Sequence, residues 1–266
     1  MNRISHLKIS SRKTLLALGL LTAGLAIAAG LPFDFTHTGN FKRMSHTGDT
    51  TGQATVSSLS QEPGTWGVGA TAGLKGEIIQ IDGRLLVSPG SAERGAVRAP
   101  AADEQVVLWA SARVTEWVEM ALPQDMDEAA FEAFVRQQAQ VHGLSLEQPF
   151  PFRVKGEFPR LRWHVVTGEK SVNAAAGSGG HGGHGAHGGQ GGHGGHANTQ
   201  SGMMVFHDPG AKGQLVGIYS GAALEGVVSH PGERLHLHYA DDPATLSGHV
   251  DAYAVAAGAV LLLPVR

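Results

Sequence analysis

The chain of 266 residues contains no cysteine. Disulfides and thiolate metal ligands are excluded, so any transition-metal site must be built from His, Asp and Glu. It also lacks a surplus of positive charge. Its 20 basic and 23 acidic side chains give a formal net charge of −3, which argues against a nucleic-acid partner. The apolar run at residues 15–29 spans 15 residues. That is short for a membrane helix and suited to the apolar core of an export signal. Arg3, Lys8, Arg12 and Lys13 precede it, and Ala26-Ile-Ala28 is an acceptable cleavage site. Residues 1–28 read as a signal peptide or N-terminal anchor. The expected location is exported or periplasmic, with membrane attachment only through the N-terminus. Ser10-Ser-Arg-Lys-Thr-Leu-Leu resembles a twin-arginine signal, with Lys13 where the second arginine would stand, so the export route stays open. Without residues 1–28, 16 of the 20 basic residues remain against 23 acidic ones, a net of −7.

The rest is patterned for strands. Residues 29–55 are polar and rich in Gly, Thr and Ser, and read as a linker. Gly64-Thr-Trp-Gly-Val-Gly reads as a glycine-rich turn. Gly76-Glu-Ile-Ile-Gln-Ile-Asp-Gly-Arg-Leu-Leu-Val predicts a hairpin turning at Asp82-Gly83. Residues 106–118 predict one strand region. A helix is expected over residues 125–142, with Asp125 and Glu128 as a capping box and Gly143 as its stop. Ala130, Phe131, Phe134, Val135 and Gln138 supply its helical spacing, and its aromatics belong to the core. Further strands are expected at 151–158, 161–166, 214–219, 233–239, 248–255 and 259–265. Residues 174–202 are dense in glycine and carry His181, His184, His187, His193 and His196. Such a segment cannot bury a core and is predicted to be disordered. It serves either as a metal-gathering arm or as a tolerated loop expansion.

The chemistry lies in Arg234-Leu-His-Leu-His-Tyr-Ala-Asp-Asp and the Ser247-Gly-His-Val-Asp that follows. Residues i and i+2 of a strand share a face, so His236 and His238 point one way. Leu235, Leu237 and Tyr239 point the other. A turn at Asp241-Asp242-Pro243 brings the next strand back, and His249 can close on the first two imidazoles. Three neutral imidazoles with one position left open suit catalytic zinc or a similar divalent ion. The plainer alternative is a merely polar strand face.

Several segments, in order, resemble the acetolactate decarboxylase family. Trp66-Gly-Val-Gly-Ala-Thr-Ala-Gly-Leu-Lys-Gly-Glu-Ile-Ile-Gln-Ile-Asp-Gly resembles its glycine-rich opening and "L-D-G-E" segment. Pro151-Phe-Arg-Val-Lys-Gly-Glu-Phe is similar to its "R-I-D-G-E-F" strand, and Gly213-Gln-Leu-Val-Gly-Ile-Tyr to its "G-T-x-V-G-F" strand. His236-Leu-His and Gly248-His249-Val match its zinc-binding histidines. The resemblance implies an α+β fold of two related sheet-rich halves, with mixed or antiparallel strands and few helices. Their expected extents are 56–173 and 203–266, with zinc in the second. It implies loss of CO₂ from 2-acetolactate to give acetoin, with His236, His238 and His249 as zinc ligands. Glu77 matches an active-site glutamate and becomes the candidate metal ligand or acid/base group. Glu157, in a matched strand, is assigned a structural role.

Two departures stand out. A family arginine able to pair with the substrate carboxylate falls, ungapped, on His164. Arg162, two residues earlier, shares that strand face. A second family glutamate, near the C-terminus, has no counterpart, because Asp251 is the only acidic residue after Gly248. The leading expectation is a zinc-dependent decarboxylase acting on 2-acetolactate or a related keto or hydroxy acid. The alternative is an exported metal-binding protein that keeps the fold and histidines but not the substrate groups. A third reading is a relative of the plant and prokaryote conserved domain, which shares the "H-x-H" strand pair. The basic AT-hook segments of its DNA-binding members are not visible here. A homodimer is compatible with all three.

Overall fold

The computed structural model describes residues 33–168, 198–200 and 202–265. The expected signal at 1–28 and most of the glycine- and histidine-rich insert lie outside the described residues. Two antiparallel sheets form the frame. The first is built from β1 (Phe33–Thr38), β2 (Ala54–Thr55), β3 (Thr65–Thr71), β4 (Gly76–Ile81), β5 (Arg84–Pro89) and β6 (Gln105–Val114). Its order is β1-β6-β3-β4-β5, with β2 also on β6. The second takes β7 (Trp117–Ala121), β8 (Met126–Asp127), β9 (Phe150–Phe158), β10 (Arg160–Val166), β11 (Asn198–Gln200) and β12 (Met203–His207). It is completed by β13 (Ala211–Tyr219), β14 (Leu235–Asp241), β15 (Ser247–Val255) and β16 (Val260–Pro264). Its order is β11-β12-β10-β15-β14-β13-β9-β16-β7, with β8 on β15. Two α-helices are present among the described residues, α1 (Phe41–Thr47) and α2 (Glu128–Val141).

The sheets stack face to face, and period-two alternation decides what lies between them. Trp66, Val68, Ile79, Leu86 and Ala110 of the first sheet meet Val216, Ile218 and Ala240 of the second. The opposite face of the second sheet carries Phe152, Val154, Leu237 and Tyr253, packed against Phe131, Val135 and Ala139 of α2. That 131-135-139 stripe is the helical repeat that buries one face of α2. One cross-strand row of the inner face reads Arg153, Val216, His238, His249, His164. Arg153 is only 6% exposed. Burial pushes its pKa down to about 10. Its guanidinium lies 3.4 Å over the Trp66 ring, which favours the buried cation.

Several boundaries differ from expectation. The supposed linker contains β1 and α1. Asn40 caps α1, its side chain accepting from Arg43 N–H, and Gly48 ends the helix in the left-handed region. The glycine-rich "turn" is in fact β3, buried along its whole length. A Cβ on Gly67 would lie 2.6 Å from the Trp109 ring, so glycine marks close packing within a strand here. Residues 106–118 are two strands in different sheets, β6 and β7. The halves do not divide at 173, because β9 pairs with both β13 and β16 and β10 pairs with β15. Everything from Trp117 onward that is strand belongs to the second sheet. The cap of α2 is Asp127, which accepts from Ala130 N–H, while Asp125 accepts from Ala257 N–H. The Asp82-Gly83 hairpin is as expected, with both residues at positive φ.

Phe131 is fully buried at the centre of the α2 contact. Phe131→Ala is expected to lower stability by about 3–5 kcal/mol, read as a fall in the denaturation midpoint at unchanged slope.

Candidate metal centre

The β14 pattern works as its spacing predicts. His236 and His238 face inward between the sheets, while Leu237 and Tyr239 join the core on the other side. His249 on β15 is the direct cross-strand partner of His238. His164 on β10 is in turn the partner of His249. β10 and β15 approach closely at Gly248, where any Cβ would collide with the His164 carbonyl. One ring nitrogen from each of His236, His238 and His249 lies within 4.8 Å of the others.

All three imidazoles are buried and neutral. Burial first, and then the surrounding imidazoles, push His236 down to about 3 and hold His238 and His249 well below the usual range. Neutral imidazole is the form that ligates a metal. The Nδ1–H of His236 donates to the Val228 carbonyl at 2.8 Å, leaving Nε2 with its lone pair. Both ring nitrogens of His238 are buried without a hydrogen-bond partner. A buried polar group in that condition costs about 1–3 kcal/mol. Further along the row, Arg153 Nη2 donates to Gln214 and His164 Nδ1 is bonded to Asp251. The donor set and the orphaned His238 nitrogens therefore fit a divalent ion such as zinc.

Glu77 reaches the same point from β4 in the first sheet and is 3% exposed. Its Oε2 lies 3.7 Å from His238 Nε2, and its Oε1 lies 4.0 Å from His164 Nε2. The Val166 N–H donates to Oε1 at 3.4 Å. Burial pushes the carboxyl up to about 7, against the opposing pull of His164. His164 is raised above its ordinary value. Burial works against its charge, but the Asp251 carboxylate at 2.7 Å and Glu77 outweigh it.

Glu77, His164, His236 and His249, together with His230, form the polar lining of a cavity of about 200 Å³. Its other walls are hydrocarbon: Phe41, Met44, Leu74, Leu108, Val166 and Met203. Phe41 and Met44 come from α1, so part of the expected linker roofs the site. Two backbone bonds tie that roof down, Phe41 N–H to the Val227 carbonyl and Lys42 N–H to the Gly226 carbonyl.

Of the residues singled out in the sequence, the structure brings together His236, His238, His249, Glu77 and His164. Arg162 turns its guanidinium toward Asp251, 3.9 Å away, rather than into the cavity. Glu157 is exposed and lies 3.8 Å from Lys212. His230 was not foreseen. It lines the cavity, with its ring centroid 4.0 Å from Phe41 and 5.6 Å from His249. It sits in the loop between β13 and β14, where no strand or helix period signals its direction.

The sequence pattern described as alpha-acetolactate decarboxylase matches residues 42–175. The chain belongs to this family. The match includes Glu77 and His164 and stops before the three histidines, whose grouping rests on the geometry above. The fold agrees. The alpha-acetolactate decarboxylase of Bacillus subtilis strain 168 superposes with a TM-score of 0.63 at 16% identity, over 87% of this chain and 86% of that one. The acetolactate decarboxylase of Bacillus subtilis subspecies spizizenii gives 0.62 at the same identity and coverage. A Staphylococcus aureus protein of unknown function, described as similar to alpha-acetolactate decarboxylase, gives 0.58, again at 16% identity and the same coverage. No curated protein matches the chain.

His238→Ala removes the central imidazole of the group. The expected outcome is loss of tightly bound divalent metal on dialysis, read by metal analysis. Unchanged stoichiometry would sink the assignment of these histidines as ligands.

Proposed function

We propose that this protein decarboxylates 2-acetolactate to acetoin, with zinc held by His236, His238 and His249. The observation that carries the reading is Glu77. It is a buried carboxyl whose two oxygens face His238 and His164 across the gap between the sheets. The family membership and the fold support the same class of reaction.

In the reaction, the bond between the carboxylate carbon and the hydroxyl-bearing carbon breaks and CO₂ leaves. The electron pair moves into the adjacent ketone, giving an enolate, and a proton must then be added at the carbon that lost CO₂. Bound zinc supplies a Lewis acid for the ketone oxygen. Glu77 is suited to exchange a proton at that carbon, because its carboxyl stands between the histidine group and His164 in the buried end of the cavity. His164 lies beside Glu77 with its Nε2 toward the cavity and, when both ring nitrogens carry protons, can receive the negative end of the substrate. The hydrocarbon walls from Phe41, Met44, Leu74 and Leu108 exclude water, which strengthens each polar interaction inside. The basic flank and apolar run of residues 1–28 support an exported or periplasmic setting.

One observation favours a second reading. Asp251, the acidic side chain on β15 beside the site, is already engaged by His164 at 2.7 Å. A metal-binding protein without turnover would have that arrangement.

The test is acetoin formation from racemic 2-acetolactate by the zinc-loaded chain, with Glu77→Gln as comparison. Zinc-dependent turnover is expected, falling by about 100- to 10,000-fold in Glu77→Gln at unchanged zinc content. No turnover, with one zinc bound tightly per chain, would replace the decarboxylase reading with the metal-binding one.

A further inference from the structure

Strand β15 holds one residue too many for its neighbour. Arg162 pairs with Ala252 and Trp163 pairs with Val250, so Asp251 has no opposite number on β10. This is a β-bulge, a device that locally re-aims a side chain. In regular alternation across this pair, Asp251 would occupy a pairing position and the strands would continue in step. Asp251 lies two residues after His249, so its carboxylate shares the inner face, and the bulge leaves it opposite no residue of β10. Its Oδ1 lies 2.7 Å from His164 Nδ1. The other ring nitrogen, Nε2, is the one directed at Glu77 and the cavity.

A carboxylate on Nδ1 has two consequences. It keeps a proton on that nitrogen, because the oxygen can only accept. It also fixes the rotation of the ring, because Nδ1 and Nε2 lie on opposite sides of the imidazole. The arrangement is anchored by three residues from two strands. Glu77 on β4 faces Nε2, Asp251 on β15 holds Nδ1, and the His249 ring packs at 5.0 Å between centroids. Arg162 lies 3.9 Å from the second oxygen of Asp251 and holds that carboxylate in turn.

We propose that Asp251, the unpaired residue at the bulge, is a positioning residue that fixes the protonation of Nδ1 and the orientation of His164 for its work in the cavity. It touches neither the three-histidine group nor the cavity's polar end directly, and acts through the ring it holds. The kinetic part of this inference rests on the decarboxylase reading. The protonation part does not.

The experiment uses the full zinc-loaded chain with ¹⁵N-labelled histidine. Ring-nitrogen chemical shifts report which nitrogen of His164 carries the proton. In the wild type, Nδ1 is expected to be protonated. In Asp251→Ala that signature should be lost, and kcat on 2-acetolactate should fall by about 10- to 100-fold. KM and zinc content should not change. Asp251→Asn keeps an oxygen acceptor and should recover the Nδ1 signature and most of kcat. A bare Nδ1 in the wild type overturns the proposal even if the alanine variant does not fold. So does an unchanged signature in Asp251→Ala, or zinc loss in step with kcat. If the wild type shows no turnover, the decarboxylase reading fails, while the ring-nitrogen shifts still decide the role of Asp251.

Discussion

The site depends on the pairing of β14 with β15. His238 stands directly opposite His249, and His249 directly opposite His164. This row forms because three consecutive strands are held in one register. Slipping any of them by a single residue would turn its imidazole to the α2 side and bring a Leu, Val or Trp inward. The apolar residues enforce the choice. Leu237, Tyr239, Val250 and Trp163 are buried against the helix side, and exposing each of them would cost about 1.5–3 kcal/mol or more. The core thus selects the register, and the register places the polar residues in the gap between the sheets.

That gap is costly ground for polar side chains, and how each one is satisfied separates structure from chemistry. Arg153 rests on the Trp66 ring and donates to Gln214. His236 gives its Nδ1 proton to Val228, and His164 is held by Asp251. His238 has neither ring nitrogen bonded, although both are fully buried. An imidazole with both nitrogens buried and unbonded, beside His236 and His249, has the donor chemistry that suits a divalent ion.

Period-two alternation made the inward pair His236 and His238 legible in the sequence, and the Asp-Gly hairpin and the apolar stripe of α2 were legible for similar local reasons. What escaped the sequence is non-local. Gly67 looks like a turn former until the Trp109 ring fills the space where a side chain would be. Asp125 and Asp127 are equally plausible caps from spacing alone, and the choice is made by Ala257, distant in the chain. The second sheet claims residues from both expected halves because strand pairing ignores sequence distance. Asp251 could be seen as the last acidic residue, but a bulge cannot be read from one strand without its partner. His230 lies in a loop, where no periodicity points it anywhere.

The helix α1 has a mechanical consequence. Its first two residues hang by backbone bonds from the carbonyls of Gly226 and Val227. The next carbonyl along, Val228, is the one that orients His236. Lifting the roof to admit a molecule therefore pulls on the same short stretch of chain that steadies a histidine of the metal group. The roof of the cavity and the orientation of His236 are linked through three adjacent peptide groups. A change in the helix can then alter the setting of His236, although no residue of the helix belongs to the histidine group.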